Sequence, residues 1–204
     1  FQFYFAFIYT VSIKFFSTLL NNVIPIKIHP EPVVGTICGL WANAMGNGGI
    51  IPIQASYYPS GTLLELKLTG MQGDVMKESM TVAKTLAWSL CDEMVCIKNV
   101  KYYEETKSQG LHIHCPEGAT KKDGPSAGTA ITVAIHSLFN KRKIKNNLAI
   151  TGEINLQGMV TAIGGLELKF LGGIKAGVVH FLFPRENEKD YNLFIEKYNE
   201  KIDL

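Results

Sequence analysis

The chain has 204 residues, a hydrophobic fraction of 47%, a charged fraction of 19% and a net charge of +2. This length suits one domain with a short appendage, and this composition excludes an intrinsically disordered chain. The 20 basic residues are scattered along the sequence. Scattered charge of this kind is not the basic footprint of a nucleic-acid-binding protein.

The four cysteines form neither a CxxC pair nor the spacing of a zinc finger (Cys38, Cys91, Cys96, Cys115). We therefore expect free thiols and a reducing intracellular compartment, either cytoplasm or mitochondrial matrix, although one pair could still meet in the fold. No basic stretch and no small-residue cleavage site marks a signal peptide, so secretion is not expected.

The first 26 residues are apolar and contain no acidic side chain, which raises the question of a membrane span. However, apolar and polar residues alternate from Tyr9 to Phe15, and this is the period of a half-buried strand. Polar residues such as Gln2 and Lys14 also interrupt the segment. We therefore predict a buried or interface strand, with residues 1–33 as an N-terminal extension or linker, and do not expect membrane association.

The first half of the remaining chain predicts strands, one long helix and a loop. A glycine-rich turn at Asn43–Gly49 precedes strands at Ile50–Tyr58 and Thr62–Thr69, which Pro59-Ser60-Gly61 would join as a hairpin. Three- and four-residue spacing of apolar side chains predicts a helix from Asp74 to Leu90 with one apolar face (Val75, Met76, Met80, Ala83, Leu86, Ala87, Leu90). The polar stretch from Lys98 to Gln109 predicts a loop.

The second half alternates strands and helices. In the short strand Leu111–Cys115, alternation places His112 and His114 on the face opposite the apolar residues. The elements predicted after it are a loop, a helix, two strands, a helix, an apolar strand and a polar-faced helix (Pro116–Pro125; Ser126–Phe139; Leu148–Thr151 and Met159–Ile163; Gly165–Gly177; Val178–Phe183; Glu186–Glu200). Such alternation indicates a mixed α/β (α+β) sandwich.

One serine has the local setting of a nucleophile. Ser126 lies between a Gly-Pro turn and the first turn of an apolar helix. Small neighbours allow a substrate backbone to approach, and free N–H groups at the helix start can bind an oxyanion. The alternative is that Ser126 simply caps the helix, which is a common role of serine.

A serine hydroxyl needs a base before it can attack an amide. Three histidines are available (His112, His114, His136), and so are lysines whose pKa burial brings from about 10.4 towards 7, a change of about 4–5 kcal/mol. Lys169 is a candidate because its short helix is rich in apolar residues. Most lysines, however, are solvated surface charges, so spacing does not single this one out.

Five ordered segments identify a family. The segment Pro116-Glu-Gly-Ala-Thr-Lys-Lys-Asp-Gly-Pro-Ser126-Ala-Gly resembles the serine signature of the Lon proteases. Four others resemble the family's first-helix motif, its strand motif, its lysine-helix motif and the segment that follows (residues 68–79, 151–158, 163–169 and 184–190). The resemblance runs from about Val34 to the C-terminus, so residues 34–204 are assigned to a Lon-type proteolytic domain.

The resemblance implies a fold, an activity and site residues. The fold would be that of the Lon proteolytic domain, similar to domain 2 of ribosomal protein S5. The activity would be ATP-dependent serine endopeptidase activity on unfolded or misfolded polypeptides, with Ser126 as nucleophile and Lys169 as base. Thr151 would orient the lysine amine, and the surrounding shell would contain Asp123, His112 and Glu153; for His114 a purely structural role is as good an interpretation.

The chain departs from the family pattern at a few positions. Lys121 stands where proline is usual, and Glu167-Leu168 replaces the usual Lys-Glu before Lys169. A glutamate pointing inward would raise the pKa of the lysine, but residues two apart on a helix face different directions, so we expect Glu167 to be exposed.

The resemblance also implies partners beyond this chain. The family carries an ATPase module that binds ATP and magnesium, and we expect this module upstream. No GxxxxGK[ST] motif occurs in this chain. This chain itself is therefore expected to bind no cofactor or metal. The family's last strand and helix are expected beyond Asp203, so the C-terminal end is expected to be truncated. Lon proteases form homo-oligomeric, usually hexameric, rings. The alternative function is a catalytically inactive Lon-like domain kept for assembly or substrate holding.

Overall fold

The computed structural model describes residues 8–12, 14–15, 27–116, 123–198 and 202–203. The strands before residue 117 are β1 (Ile8–Ser12), β2 (Lys14–Phe15), β3 (Val33–Val34), β4 (Thr36–Ala42), β5 (Gly48–Tyr58), β6 (Leu66–Thr69) and β7 (Gly110–His114). The later strands are β8 (Lys143–Ile144), β9 (Leu148–Ile150), β10 (Glu153–Ile154), β11 (Val160–Thr161), β12 (His180–Pro184) and β13 (Ile202–Asp203). The helices are α1 (Asp74–Ser89), α2 (Glu93–Thr106), α3 (Gly128–Asn140), α4 (Leu166–Ala176) and α5 (Glu188–Tyr198), with 3-10 turns at Pro125–Ala127 and Arg185–Asn187.

Seven of these strands form one mixed sheet in the order β1-β12-β9-β4-β5-β7-β6. Pairing is parallel between β12 and β9, between β9 and β4, and between β7 and β6, and antiparallel elsewhere in the sheet. Consecutive side chains of a central strand enter different apolar clusters, as Ile37 and Cys38 do on β4. Because both faces of the central strands are buried, their sequences are nearly continuous apolar runs rather than strict alternations.

Helices cover the two faces of the sheet in separate layers. α1 and α3 pack on the face that carries Ile37 and Ile53, whereas α4 and α5 pack on the face that carries Leu40 and Phe181. The predicted mixed α/β sandwich is therefore confirmed. Its two helical layers bring residues from distant parts of the sequence to one end of the central strands.

The helix predicted from Asp74 to Leu90 is confirmed as α1, which ends at Ser89. Five residues of the predicted apolar face are buried (Met76, Met80, Ala83, Leu86, Ala87), and Leu90 packs against a small satellite cluster. Val75 was wrongly placed on this face, since it is 45% exposed. A residue in the first turn of a helix can fit the helical spacing and still project beyond the layer on which the helix packs.

The predicted hairpin between residues 50–58 and 62–69 is wrong. β7 lies between β5 and β6, pairing antiparallel with the first and parallel with the second. Leu111 and Ile113 of β7 are fully buried, whereas Lys67 of β6 is exposed. The more apolar strand therefore takes the inner position, and β6, which carries a lysine, forms the edge of the sheet.

The loop predicted at Lys98–Gln109 is also wrong for most of its length, because α2 continues to Thr106. Within α2 only Asn99 and Tyr103 are buried. Asn99 donates to the Phe139 carbonyl (3.2 Å), and the Tyr103 hydroxyl donates to that of Tyr57 (3.2 Å). A helix fixed by two polar anchors lacks the apolar periodicity that would have predicted it.

The strand predicted at Tyr9–Phe15 is present in its described parts. β1 pairs antiparallel with β12 at the edge of the main sheet, and β2 pairs with β13. Residues 117–122, which include most of the predicted loop and Lys121, lie outside the described residues. Among the residues that are described, no helix combines the length and hydropathy needed to cross a bilayer.

Phe170 is the best place to test the α4 layer. Its ring is fully buried, with ring centroids 4.8–5.3 Å away on three other phenylalanines (Phe181, Phe183, Phe194). We expect Phe170→Ala to lower the free energy of unfolding by about 3–5 kcal/mol, because it leaves a cavity in this cluster. Leu193→Ala, at a residue 63% exposed, is the matched control and should change it by less than about 0.5 kcal/mol in the same denaturant titration. Equal effects of the two substitutions would contradict the packing described.

Candidate active site

Ser126 occupies the 3-10 turn Pro125–Ala127 that leads directly into α3. The preceding Gly124 has φ +110, a conformation that L side chains rarely adopt, and Pro125 begins the turn. The residue at the N-cap of α3 is Ala127, and no side chain caps this helix. The helix-cap interpretation of Ser126 is therefore wrong.

The turn is tied to the chain segment that follows β9. The carbonyl of Ser126 accepts hydrogen bonds from the Gly152 amide (2.8 Å) and from the Thr151 hydroxyl (3.3 Å). Thr129, one turn further along α3, donates its own amide and hydroxyl to the Gly152 carbonyl (3.1 and 2.9 Å). These reciprocal bonds fix the start of α3 against the end of β9, and sequence reasoning gave no signal for Thr129 or Gly152.

Lys169 lies on α4 and is only 3% exposed. Its helix begins after Gly165, a residue in the left-handed region, and neighbouring Leu166 and Phe170 enter the apolar cluster beneath it. The alternative of a solvated surface lysine is therefore wrong.

The lysine amine contacts two hydroxyl groups. Its Nζ lies 3.0 Å from Ser126 Oγ and 3.2 Å from Thr151 Oγ1. Thr151 itself is 1% exposed. Burial lowers the pKa of Lys169 from 10.5 to about 8, because the charged ammonium loses its hydration. An amine with this pKa is unprotonated in about a tenth of the molecules at pH 7, far more often than a solvated lysine.

Glu167 points away from the amine, as its helical spacing predicted. Its carboxylate is bound on α5 by Lys197 Nζ (2.7 Å) and by the Tyr198 hydroxyl (2.8 Å), although it is partly covered rather than fully exposed. These two hydrogen bonds lower the pKa of Glu167. The departure from the family pattern at this position thus leaves the surroundings of Lys169 apolar.

Asp123 connects the serine turn to α1. Its Oδ1 accepts hydrogen bonds from the Met76 amide in the first turn of α1 (3.1 Å) and from the Gly124 amide (2.9 Å). Gly73 leaves room for this carboxylate, since a Cβ at Gly73 would lie 2.2 Å from its Cγ. A negative charge at this position also suits the dipole of α1.

A cavity of about 520 Å³ opens over Ser126 and Lys169. Asp123 and Glu153 border it, and Glu153 is exposed on β10. The rest of the wall comes mainly from the β4–β5 hairpin, from the stretch before α4 and from α1 and α4 (Leu40, Trp41, Ala42, Asn43, Ala44, Ile51, Met76, Gly124, Pro125, Ala127, Ala162, Ile163, Gly164, Gly165, Leu168). A cleft of this size, with both polar and apolar groups in its wall, is large enough to hold part of an extended peptide.

The histidines lie elsewhere in the fold. On the β6–β7 edge, the Thr69 hydroxyl contacts His112 Nε2 (2.9 Å) and His114 Nδ1 (2.7 Å), and neither histidine is among the residues that line the cavity. Partial burial, Lys67 and His114 lower the pKa of His112. His136 contacts Asn140 on α3. The base in contact with the Ser126 hydroxyl is therefore a lysine rather than one of these histidines. Membership of His112 in the active-site shell stays a prediction.

Among the described residues, the cysteines and the other metal-ligating side chains do not assemble into a site. All four cysteines are free thiols, as predicted, and burial raises the pKa of Cys38 and of Cys91 to about 11. Over the described ranges, no group of three or more His, Cys, Asp or Glu side chains is arranged to hold a metal ion.

Comparisons with known proteins agree on one family. Residues 21–204 match the model of the Lon protease (S16) C-terminal proteolytic domain. The chain is 41% identical over 169 residues to a Lon protease of Clostridium acetobutylicum, covering 81% of this chain and 20% of that protein. It is 41% identical over 180 residues to a mitochondrial Lon protease homolog of Ostreococcus lucimarinus, covering 87% of this chain and 18% of that protein.

A Lon protease homolog of Acanthamoeba polyphaga mimivirus is 39% identical over 176 residues, covering 84% of this chain and 17% of that protein. The chain thus spans about a fifth of the length of the curated relatives it matches. The match to the family model covers the serine turn, the end of β9 and the lysine helix whose geometry is described above. The chain belongs to the Lon protease family and corresponds to its C-terminal proteolytic domain, a peptidase domain of the serine type.

Proposed function

We propose that Ser126 and Lys169 form a catalytic dyad with which this domain hydrolyses peptide bonds in unfolded or misfolded polypeptides. One observation carries the proposal: a lysine amine that is 3% exposed lies 3.0 Å from a serine hydroxyl at the base of a large cavity. Within the described part of the chain no carboxylate forms an ion pair with this amine. Its neutral form is therefore favoured by burial without an opposing counter-ion.

The dyad would act through an acyl-enzyme. The unprotonated Lys169 amine accepts the hydroxyl proton while Ser126 Oγ forms a bond to the carbonyl carbon of the substrate. The tetrahedral intermediate collapses as the C–N bond breaks, and Lys169 gives the proton to the leaving amine. Lys169 then takes a proton from water, whose oxygen attacks the ester carbonyl. As the ester C–O bond breaks, Lys169 returns this proton to Ser126 Oγ, which releases the carboxylic acid product and restores the dyad.

Thr151 would hold the amine in its reactive orientation. Lys169 Nζ donates one hydrogen to Thr151 Oγ1, and the threonine hydroxyl donates in turn to the Ser126 carbonyl. With one N–H engaged in this way, the nitrogen lone pair can face the serine hydroxyl. Asp123 would fix the turn through its bonds to α1. The Gly128 and Thr129 amides at the start of α3 already donate to the Pro125 and Gly152 carbonyls.

The properties of the whole protein are proposed from family membership. We expect an upstream ATPase module that uses ATP and magnesium to deliver polypeptide to the cavity. We also expect assembly into a homo-oligomeric, hexameric ring. Bacterial and mitochondrial names among the relatives support a reducing intracellular location. The alternative, an inactive assembly or substrate-holding domain, predicts a buried lysine without serine reactivity, so the first experiment below separates the two functions.

Substitution of either dyad residue should abolish activity. We expect Ser126→Ala to eliminate hydrolysis of a quenched fluorescent peptide, because no nucleophile remains. Lys169→Gln should lower kcat/KM by about 100- to 10,000-fold, because glutamine cannot accept the proton. Lys175→Gln, on the exposed side of the same helix, is the matched control and should retain wild-type activity. Hydrolysis and labelling by a serine-directed phosphonate that persist in Ser126→Ala would eliminate the assignment.

The rate should depend on pH through the buried amine. Burial favours the neutral form, so the pKa of Lys169 lies below its ordinary 10.5, at about 8. The active fraction therefore rises with pH through this value, and kcat/KM should fall about tenfold per pH unit well below it. A pH–rate profile of the wild-type chain tests this expectation. A midpoint near 10.5 would mean that the amine is solvated and would contradict the site.

Thr151 offers a test of amine orientation. Thr151→Val keeps the shape of the side chain but removes both hydrogen bonds of the hydroxyl, whereas Thr151→Ser keeps the hydroxyl. We expect kcat to fall about 10-fold or more in the valine variant and to stay close to wild type in the serine variant. Equal kcat values in the two variants, measured with both proteins folded, would assign Thr151 a packing role alone.

A further inference from the structure

The backbone of α4 touches the backbone of β5 at two glycines. A Cβ added at Gly48, the first residue of β5, would lie 2.0 Å from the Leu168 carbonyl oxygen and 3.1 Å from the Lys169 nitrogen. A Cβ added at Gly172 would lie 2.2 Å from the Gly48 carbonyl carbon and 2.3 Å from the Gly49 nitrogen. The backbones of β5 and α4 therefore meet without any side chain between them.

The contact falls on the peptide that carries the lysine. The atoms nearest to Gly48 belong to the peptide bond between Leu168 and Lys169, and Gly172 lies one turn further along the same helix face. Neither Gly48 nor Gly172 has a positive φ. An alanine would therefore suffer no backbone strain at either position, and its only penalty would be steric.

The displacement that this steric clash requires is large enough to break the hydrogen bond between Lys169 and Ser126. Real Cβ contacts are essentially never shorter than 3.0 Å, so a methyl at Gly48 requires the Leu168 carbonyl to retreat by about 1 Å. The blocking atoms are backbone and cannot rotate away. A shift of 1 Å added to the 3.0 Å between Lys169 Nζ and Ser126 Oγ would exceed hydrogen-bonding distance.

We infer that Gly48 and Gly172 are positioning residues, whose direct backbone contact sets how deeply α4 sits on the sheet and so places the Lys169 amine at the Ser126 hydroxyl. This inference rests on the proposed dyad. It predicts that adding a single methyl group at either glycine weakens the base, although neither glycine lines the cavity.

Another glycine of the chain provides the control. A Cβ at Gly61 would meet nothing within 4 Å. Gly61→Ala therefore controls for the loss of glycine alone.

The experiment measures inactivation of the 204-residue chain by a serine-directed peptidyl phosphonate from pH 6 to 10. We expect Gly48→Ala and Gly172→Ala each to lower the maximal inactivation rate about 10- to 100-fold with an unchanged KI, since about 1 Å of misplacement has costs of this order. Their acid limbs should also move to higher pH, because an amine released from its pocket regains water. Gly61→Ala should keep the wild-type midpoint.

A double variant tests whether the two glycines act through one contact. Once Gly172→Ala has moved α4 away from β5, adding Gly48→Ala should cost little more, so the two rate losses should not multiply. Wild-type rates in both single variants would overturn the inference. Slower inactivation with an unchanged pH midpoint would also overturn it, because the loss would then not arise at Lys169. Failure of both variants to fold, with Gly61→Ala folded, would assign the contact to fold stability and overturn the inference as well.

An NMR titration of the Lys169 side chain distinguishes failure of this inference from failure of the proposed function. It reports the pKa of the amine in wild type and in the glycine variants whether or not the chain reacts with the phosphonate. If the wild type is inert but the pKa rises in Gly48→Ala, the dyad proposal fails and the positioning contact stands. If the wild type reacts and the pKa of Lys169 does not change in Gly48→Ala, the dyad proposal stands and the positioning inference fails.

Discussion

The structure depends on keeping the amine of Lys169 out of water without a counter-ion. The change in its pKa from 10.5 to about 8 corresponds to about 3 kcal/mol in favour of the neutral form. The apolar cluster around Phe170 supplies the desolvation, and two hydroxyl groups supply the only polar contacts described for the amine. A carboxylate at this position would have favoured the charged form, and the side chain of Glu167 is instead held on α5 by Lys197 and Tyr198.

The three-layer fold makes this arrangement possible. Ser126 precedes α3, which packs on one face of the sheet, and Lys169 lies on α4, which packs on the other. The two layers meet where β9 ends. There Thr151 bonds to both the lysine and the serine turn, and Gly152 bonds to the serine turn. Because the central strands are buried on both faces, the sheet acts as a rigid spacer between the helices that carry the two reactive groups.

The sequence determined the elements that have strong local signals. The apolar spacing of α1, the helix between two glycines that became α4, and the alternation that turns His112 away from Leu111 all reflect short-range geometry that any isolated segment expresses. Local sequence patterns gave wrong predictions where contacts with other elements of the fold determine the structure. α2 is anchored by Asn99 and Tyr103 rather than by an apolar stripe, and β6 was displaced to the sheet edge by a more apolar strand that comes later in the chain.

For the site, sequence by itself supplied the identities of Ser126, Lys169 and Thr151 through five ordered motifs, because motif order and residue type are properties of the chain. Tertiary structure alone decided that the lysine is buried, that Asp123 bonds to α1, that His112 is not among the residues lining the cavity, and that Gly48 contacts the lysine helix. Burial and distance depend on residues more than 40 positions apart. No local pattern encodes them, since they arise only when the two helical layers pack on the sheet.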